Sequence, residues 1–547
     1  MGRTVGIDLG TEHAVVAALD GTAEAWRKPF VVPNAEGSGI TPSVVAFTAD
    51  GTALIGEAAR RQAVANVNGT LSGFKQHMGS DWIHLHEGRT HRASEITAML
   101  LAKLKRDAEA HLGEEVTGAV VTVPVHFSHA ARLAVKEAGA LAGLPVLRLL
   151  DEPTAAALFD GIGRDDELVL VVHCGAGTFA FSLVEVGDGV TEVKASRGDA
   201  RIGGGDWDRE TARHLAARFR ELHGVDPASD PTSLRRLCEA AENAKIELSS
   251  ATEAVIDVPC VAMSAAGPLH LHDRLSRQEF LHVTRPLLDR CGAALTEVFA
   301  AAGISASEVS RVIMTGGATR MPAMRSLVRD HFGDHTPTVV TQPGEGVAYG
   351  AALQAGVLSG IVRDALVLEV TPHSWGVATR GGVMRRLVAR DTTRPIFGSE
   401  LFTTARDVET ADGAVVRIPV YEGESENAAD NALIGFLDLP EPNVTAQGRA
   451  ADIDVRLDVD HDALVCISAT NQATGTTWSR TPEGTCKVKR TAVRPEPTRK
   501  QSALWSPPTA QPPSKGAPES PVRTFLAVLL GVLIALLPLG VVLWVLW

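Results

Sequence analysis

Two glycine-rich turns are the residues of this sequence whose types and spacing best suit a chemical role. The first is GIDLGTE at residues 6–12, and the second is HCGAGTF at residues 173–179. Glycine allows several backbone N–H groups to approach one anion, and threonine adds a hydroxyl donor. A single turn of this kind is more often an ordinary hairpin than a phosphate site. Two of them in matching surroundings indicate a phosphate site.

The surroundings of the turns predict an internal duplication. Each turn lies between two apolar, strand-like segments. A third turn, GGATR at residues 316–320, also follows an apolar run, and Pro322 is well placed to begin a helix after it. We therefore expect a nucleotide clamped between two related lobes, each of which contributes one hairpin to the phosphates.

The elements around these turns divide the chain into an α/β part and an all-β part. Helical periodicity at residues 93–111 and 130–141 flanks a buried strand at 119–125, which predicts an α/β fold for about the first 362 residues. Short strands separated by turn residues follow after about residue 364 and suggest a β-sandwich. These strands are predicted at residues 376–379, 385–389, 415–420, 434–437, 451–459 and 464–469.

Composition excludes several function classes. The chain has 547 residues and a formal net charge of −13, so its surface repels phosphate backbones and a nucleic-acid-coating protein is not expected. The six cysteines are far apart and form no C-x-x-C pair, which argues against a zinc site and against a dense disulfide framework. We expect several folded domains in a reducing compartment.

The C-terminal region predicts a membrane anchor. Residues 524–547 contain no charged side chain and are long enough to cross a bilayer as one transmembrane helix. A buried core helix is the alternative. Residues 487–523 hold eight basic and two acidic residues among many prolines, which predicts a disordered spacer that touches anionic lipid; a ligand for a Pro-binding module is the alternative. The soluble domains are expected to face the cytoplasm from the cell membrane.

Several ordered motifs carry a family resemblance. The motifs are VGIDLGT (5–11), ARRQA (59–63), FK (74–75), VTVP (121–124), DEPTAAAL (151–158), GGGDWD (203–208), AKIELSS (244–250), GGATRMP (316–322), VAYGAA (347–352), NAADN (427–431) and IGFLDL (434–439). With them the chain resembles the DnaK-type heat-shock chaperones of the seventy-kilodalton class, from residue 1 to about residue 485. The resemblance implies an actin-like ATPase domain at residues 1–362, a linker at 363–372 and a peptide-binding β-sandwich at 373–486.

The resemblance also implies ligands, partners and site residues. ATP or ADP with Mg²⁺ is the expected cofactor, extended apolar polypeptide segments are the expected clients, and J-domain and nucleotide-exchange co-chaperones are possible partners. Asp8 is implied as the magnesium-shell carboxylate, and Lys75, Glu152 and Thr178 as the catalytic group. The implied nucleotide contacts are Gly10, Thr11, Gly175, Gly177, Thr178, Glu242, Lys245, Ser249, Gly316, Gly317 and Arg320. Pro124, Arg132 and Glu152 match a relay that reports nucleotide state to the peptide domain.

Each carried-over role has a simpler alternative. Lys75 alone would be read as a solvated loop cation, and Glu152 as a carboxylate favoured at a helix N-terminus. The implied peptide-binding residues are Val377, Arg380, Phe402, Val416 and Val420. The four apolar ones suit ordinary sandwich core equally well. Arg380 occupies a position that is usually apolar in the family and predicts a preference for acidic or polar flanks in the peptide.

The second phosphate turn departs most from the family pattern. His173 and Ala180 replace two aspartates, and an imidazole does not substitute for a carboxylate in a magnesium shell. Glu12 stands where the family has a second threonine, and Gly344 replaces an aspartate. We therefore expect nucleotide binding with weakened magnesium dependence, His173 meeting the phosphates as a cation, and slow or absent hydrolysis.

The sequence as a whole predicts a membrane-anchored chaperone relative. The spacer and membrane helix stand where the family has its helical lid, so peptide release is expected to be fast. Two alternatives remain at this point. One is a nucleotide-gated pseudo-ATPase scaffold for a dedicated partner at the membrane, and the other is an actin-like or sugar-kinase-like enzyme that shares only the nucleotide clamp.

Overall fold

The computed structural model describes most of the chain up to residue 490. The described residues are 2–20, 28–63, 65–161, 165–264, 267–341, 344–403, 415–440, 452–481 and 486–490. Among them, no helix is long and apolar enough to span a membrane. The predicted transmembrane helix at 524–547 and most of the predicted spacer lie outside the described residues, so both remain predictions.

The first lobe is built on a six-stranded sheet. Its elements are β1 (Arg3–Leu9), β2 (His13–Leu19), β3 (Pro29–Val31), β4 (Thr41–Pro42), β5 (Val44–Phe47), β6 (Ala53–Ile55), α1 (Glu57–Arg61), β7 (Thr70–Ser72), a 3₁₀ turn (Phe74–His77), β8 (Ile83–His86), β9 (Arg89–Arg92), α2 (Ala93–Leu112), β10 (Val116–Val123), α3 (His129–Leu141), β11 (Val146–Asp151) and α4 (Glu152–Gly161). The main sheet runs β11-β10-β1-β2-β3, and β4 pairs with β2. The predicted helices and the strand between them are present as α2, β10 and α3, shifted at their ends by one to three residues.

The second lobe repeats this topology. Its elements are β12 (Glu167–Cys174), β13 (Phe179–Gly187), β14 (Val190–Asp199), α5 (Gly204–His223), α6 (Pro231–Glu247), β15 (Glu253–Ser264), β16 (Gly267–Ser276), α7 (Arg277–Val283), α8 (Arg285–Ala302), β17 (Arg311–Thr315), a 3₁₀ turn (Gly317–Arg320), α9 (Pro322–Phe332), β18 (Thr338–Thr341) and α10 (Gly346–Leu358). The order β18-β17-β12-β13-β14 has the same parallel and antiparallel pairs as β11-β10-β1-β2-β3. The two glycine-rich turns therefore occupy equivalent hairpins.

Apolar side chains of both lobes form one shared core. Val15 and Ala17 of β2, Ala155 of α4, Val171 of β12 and Ala351 of α10 are all buried in it. Because a closely packed interior resists shifts of its parts, this core fixes the two hairpins relative to each other.

The all-β part follows the second lobe. Its strands are β19 (Leu366–Val370), β20 (Trp375–Ala378), β21 (Met384–Val388), β22 (Thr393–Arg394), β23 (Ile396–Thr403), β24 (Val415–Glu422), β25 (Ala432–Pro440), β26 (Asp452–Val459), β27 (Val465–Asn471), β28 (Thr476–Arg480) and β29 (Cys486–Arg490). A four-stranded sheet, β21-β20-β24-β25, packs on a five-stranded sheet, β23-β26-β27-β28-β29, around a core that includes Trp375, Leu457 and Trp478. This is the expected sandwich.

Two predicted boundaries differ from the structure. Residues 363–372 are not a free linker, because β19 pairs in parallel with β14 and so extends the second-lobe sheet, with β22 added beyond it. The spacer does not begin at residue 487, because β29 pairs with β28. The ATPase lobes and the sandwich lie within one compact unit, Met1–Ala492. The first difference arises from pairing between strands far apart in the sequence, and the second from pairing of the consecutive strands β28 and β29; composition reports neither.

Candidate functional site

A cleft between the two lobes contains most of the predicted site. The cavity has a volume of about 1030 Å³, at the upper end of the range of small-molecule sites. The predicted residues that line it are Asp8, Gly10, Thr11, Glu152, Gly175, Thr178, Glu242, Lys245, Ser249, Gly316, Gly317 and Arg320. His173, Glu12 and Gly344, at which the sequence departs from the family, also line it. Gly177 and Lys75 lie beside the cavity and are absent from its lining.

The glycine-rich turns meet without room for side chains. A Cβ atom on Gly177 would lie 2.7 Å from both Thr11 Oγ1 and Gln76 Nε2, which belong to the first lobe. Gln76 Nε2 also donates to the carbonyl of Gly177 at 3.0 Å. Gly316 has a φ of +87°, and a Cβ atom there would lie 2.3 Å from the carbonyl oxygen of Cys174. Backbone from three turns therefore comes together at one end of the cleft, as a phosphate cradle requires.

A buried chain of three charged or ionisable side chains lies beside this cradle. Lys75 Nζ is 2.5 Å from Glu152 Oε1, and His173 Nε2 is 3.1 Å from Glu152 Oε2. Burial by itself would raise the pKa of Glu152, but Lys75 and then His173 outweigh it and hold that pKa well below its usual value. Lys75 is therefore no solvated loop cation. Both oxygens of Glu152 are already engaged.

The described residues offer one carboxylate to a magnesium shell beside the phosphate cradle. Asp8 accepts a hydrogen bond from Thr122 at 2.9 Å, and burial followed by the charge of Glu152 raises the pKa of Asp8 although Lys75 opposes this. His173 and Ala180 pair across the second hairpin. Neither side chain is a carboxylate, so this hairpin offers no magnesium ligand at these two positions. Among the described residues, no three His, Cys, Asp or Glu side chains are placed to hold a metal ion. Mg²⁺ requires oxygen ligands in octahedral geometry, and among the described residues beside the cradle Asp8 is the carboxylate that could supply one of them together with water.

The other end of the cleft is lined by α6 and by the turn before α9. Lys245 Nζ donates to Asp208 Oδ2 at 2.6 Å and to the carbonyl of Gly204 at 3.0 Å, and the Ser249 hydroxyl donates to the carbonyl of Lys245 at 3.1 Å. These bonds fix the α6 side chains that face the cavity. Arg320 ends the 3₁₀ turn on the same side.

Glu12 adds a carboxylate to the first lobe's side of the cleft. Desolvation by the cleft walls, then the charges of Glu242 and Asp208, raise the pKa of Glu12 to about 7, while Lys245 opposes the shift. The side chain is open to the water of the cleft, which screens part of this effect. Glu12 therefore changes charge near neutral pH.

The predicted relay residues form a connected path away from the cleft. Arg132 is fully buried and donates to the carbonyl of Val125 at 3.0 Å and to Asp151 Oδ1 at 2.7 Å. Asp151 directly precedes Glu152, and Pro124 accepts a backbone hydrogen bond from Phe127. Arg132 thus connects to Glu152 through Asp151, a residue that the sequence motifs contain but that was not singled out.

Sequence reasoning missed four further residues of this region. Asp208 is the last residue of the motif GGGDWD, so the sequence could have identified it as a residue of the site. Gln76, Thr122 and Asp151 make their contacts across the lobes or the sheet, and no local pattern identifies them.

The predicted peptide-binding residues lie in and around the sandwich core. Val377 and Val420 are buried in that core, and Phe402 and Val416 pack against it. The side chain of Arg380 is exposed. Their contact with a peptide remains a prediction, and the longer hairpin expected near residue 410 lies outside the described residues.

A family model gives an independent comparison for the whole arrangement. The model described as Hsp70 protein matches residues 4–86 and 81–493 of this chain. The match therefore spans both lobes, the β19 connection and the sandwich.

Proposed function

Because the chain belongs to the Hsp70 family of ATP-binding chaperones, we propose that it is a nucleotide-gated, peptide-binding chaperone relative with little or no ATP hydrolysis. The observation that carries this proposal is the chain Lys75–Glu152–His173. Hydrolysis requires positioned charge around the terminal phosphate and its metal ion. Here both oxygens of Glu152 are occupied, and position 180 offers no carboxylate.

The same geometry supports nucleotide binding with weakened magnesium dependence. The backbone N–H groups of the two glycine-rich turns and the hydroxyls of Thr11 and Thr178 are the donors for phosphate oxygens. Lys75 would place positive charge at the end of the cleft where magnesium otherwise neutralises phosphate, and His173 lies beside it. Mg²⁺, if bound, would be held by Asp8 and water alone.

The test combines nucleotide titration with single-turnover hydrolysis on the full chain, with and without Mg²⁺. We expect ADP and ATP to bind under both conditions and hydrolysis to be slow. The double substitution His173→Asp with Ala180→Asp should restore magnesium dependence and raise the hydrolysis rate, and each single substitution serves as its control. Rapid hydrolysis by the unmodified chain would overturn the impaired-ATPase proposal. Failure to bind either nucleotide would overturn the proposal of nucleotide gating.

We also propose that the chain acts at the cytoplasmic face of a membrane. The support is the uncharged segment at residues 524–547 together with the basic, proline-rich stretch before it. Its clients would be extended apolar segments near that surface, and co-chaperones of the J-domain and nucleotide-exchange classes are possible partners.

A second candidate is a pseudo-ATPase scaffold with a dedicated partner. It is supported by the same Lys75–Glu152–His173 contacts, which engage both carboxylate oxygens of Glu152. Crosslinking in cells separates the two candidates, because a general chaperone captures many unrelated chains and a scaffold captures one.

A further inference from the structure

Three histidines lie in segments where the sandwich contacts the first lobe. His126 lies just before α3, His129 is the first residue of α3, and His373 follows β19. Nε2 of His373 donates a hydrogen bond to the carbonyl oxygen of His126 at 3.4 Å. We call this group the interdomain histidine cluster.

His129 makes the geometric constraint clearest. Its Nδ1 accepts a hydrogen bond from the backbone N–H of Val465 at 3.1 Å, which requires that this nitrogen carry no proton. Its own backbone N–H donates to both carboxylate oxygens of Glu422, at 3.1 and 3.2 Å. One residue of α3 therefore contacts two segments of the sandwich, and one of these contacts is lost when the ring is protonated at Nδ1.

Positive charge surrounds the other two histidines. Arg132, Arg197 and Arg390 face His126, whose Nε2 is buried and has no hydrogen-bond partner among the described residues. Arg390 and Arg132 also face His373, where Glu424 is the opposing negative charge.

Carboxylates pair with two of these arginines and offset part of their positive charge. Arg132 pairs with Asp151, and Arg197 pairs with Asp391 of the sandwich and with Glu297 of α8. Within the part of the chain that the structure describes, no carboxylate pairs directly with the His126 ring.

The charges and burial oppose protonation of both rings while the sandwich is docked. Burial first, then His373 and the three arginines, lower the pKa of His126 to about 3. Burial first, then Arg390, lower the pKa of His373 to about 4. An exposed histidine has a pKa near 6.5.

We propose that the interdomain histidine cluster is a proton-sensitive latch, which holds the sandwich on the ATPase lobes at neutral pH and releases it in acid. Docking requires an unprotonated Nδ1 on His129 and opposes charge on the buried His126 and His373 rings, which arginines face, so protons bind preferentially to the undocked arrangement. This switch depends on the contact surface and not on nucleotide hydrolysis.

Glu422 opposes the histidines, because it takes up a proton on docking whereas they release protons. Burial raises the pKa of Glu422 to about 7, so docking takes up one proton there between about pH 7 and pH 4.5 and is favoured as the pH falls. The histidines release protons on docking below about pH 6.5, which disfavours docking as the pH falls. His126 and His373 together release more protons on docking than Glu422 takes up, so the net effect below pH 6 is release.

Hydrogen exchange of β19 in the full chain tests the latch. The strand Leu366–Val370 pairs with β14 of the second lobe and with β22, and we expect release of the sandwich to break this pairing. After correction for the intrinsic pH dependence of exchange, we expect their protection to fall roughly tenfold per pH unit between pH 6 and pH 5. Protection of β1 and β27 should stay constant, which distinguishes release from unfolding.

Matched variants assign the effect. His126→Phe with His373→Leu removes two titrating rings and should flatten the profile, whereas His272→Gln, at an exposed histidine on β16, should leave it unchanged. Glu422→Gln removes the opposing proton and should make the fall steeper. A wild-type profile that is flat from pH 7.5 to pH 5 would overturn the proposal, even if the double variant failed to fold. A double variant that releases as steeply as wild type would also overturn it.

Discussion

Arg394 of the sandwich lies 2.7 Å from Asp151 of the first lobe, and both side chains are buried. The same guanidinium is 3.2 Å from Glu369 of β19. Asp151 directly precedes Glu152, so two adjacent carboxylates face opposite ways, one toward the sandwich and one toward the nucleotide cleft. The two sites are therefore linked through one peptide bond and the ion pair between Asp151 and Arg394.

Removing Arg394 should separate the sandwich from the ATPase lobes. In Arg394→Met, Asp151 and Glu369 lose the buried cation that they share, although Asp151 keeps its ion pair with Arg132. Removing one partner of a buried ion pair typically lowers the free energy of unfolding by about 3–5 kcal/mol. Denaturant unfolding monitored together with hydrogen exchange of β19 measures the effect. Equal protection of β19 in the variant and in wild type would contradict the prediction.

Arg417→Met is the matched control on the sandwich. Arg417 pairs with Asp438 on the protein surface, where ion pairs contribute at most about 1 kcal/mol. If both variants lowered the free energy of unfolding by a similar amount, the buried ion pairs of Arg394 would contribute no more to stability than the exposed pair of Arg417.

The sequence predicted the lobes and the hairpins but not the contacts that couple them. The hairpins follow from local signals, since glycine turns between apolar runs are visible in a short window. His173 stands out in the sequence as a departure from the family, yet no local pattern predicts its contact with Glu152. Arg394 and Asp151 are 243 residues apart, and no local pattern pairs them. The pairing of β19 with β14 was missed for the same reason.

The uncharged C-terminal segment should anchor the chain in a bilayer. Full chain mixed with liposomes should float with them through a density gradient in the presence of high salt, because apolar insertion resists screening. A chain ending at residue 523 keeps the basic spacer and should be released by salt. Flotation of both forms in high salt would show that the anchor lies elsewhere.

Arg380 should bias the choice of peptide. Its exposed guanidinium follows β20, and an exposed ion pair contributes about 0.2–1 kcal/mol. We expect an apolar peptide with glutamate flanks to bind a few times more tightly than the same peptide with lysine flanks, and Arg380→Met to abolish the difference. Fluorescence anisotropy measures both affinities. Arg385→Met, at an arginine already paired with Glu400, is the control and should keep the preference.

Glu12 should make nucleotide affinity depend on pH near neutrality. Its pKa of about 7 means that the carboxyl is neutral at pH 6 and ionised at pH 8. An ionised Glu12 repels the phosphates, so ADP affinity should fall as the pH rises, by roughly tenfold between pH 6 and pH 8. Calorimetric titration without Mg²⁺ measures this dependence.

Glu12→Gln separates this effect from the ionisation of the nucleotide itself. The amide keeps the size and the hydrogen-bonding capacity of the side chain but cannot ionise, so the variant reports the pH dependence that belongs to ADP and to the remaining residues. Wild type should bind as tightly as the variant at pH 6 and more weakly at pH 8. Parallel profiles would show that the Glu12 carboxylate does not reach the phosphates, and the anion would then lie nearer the second turn and His173.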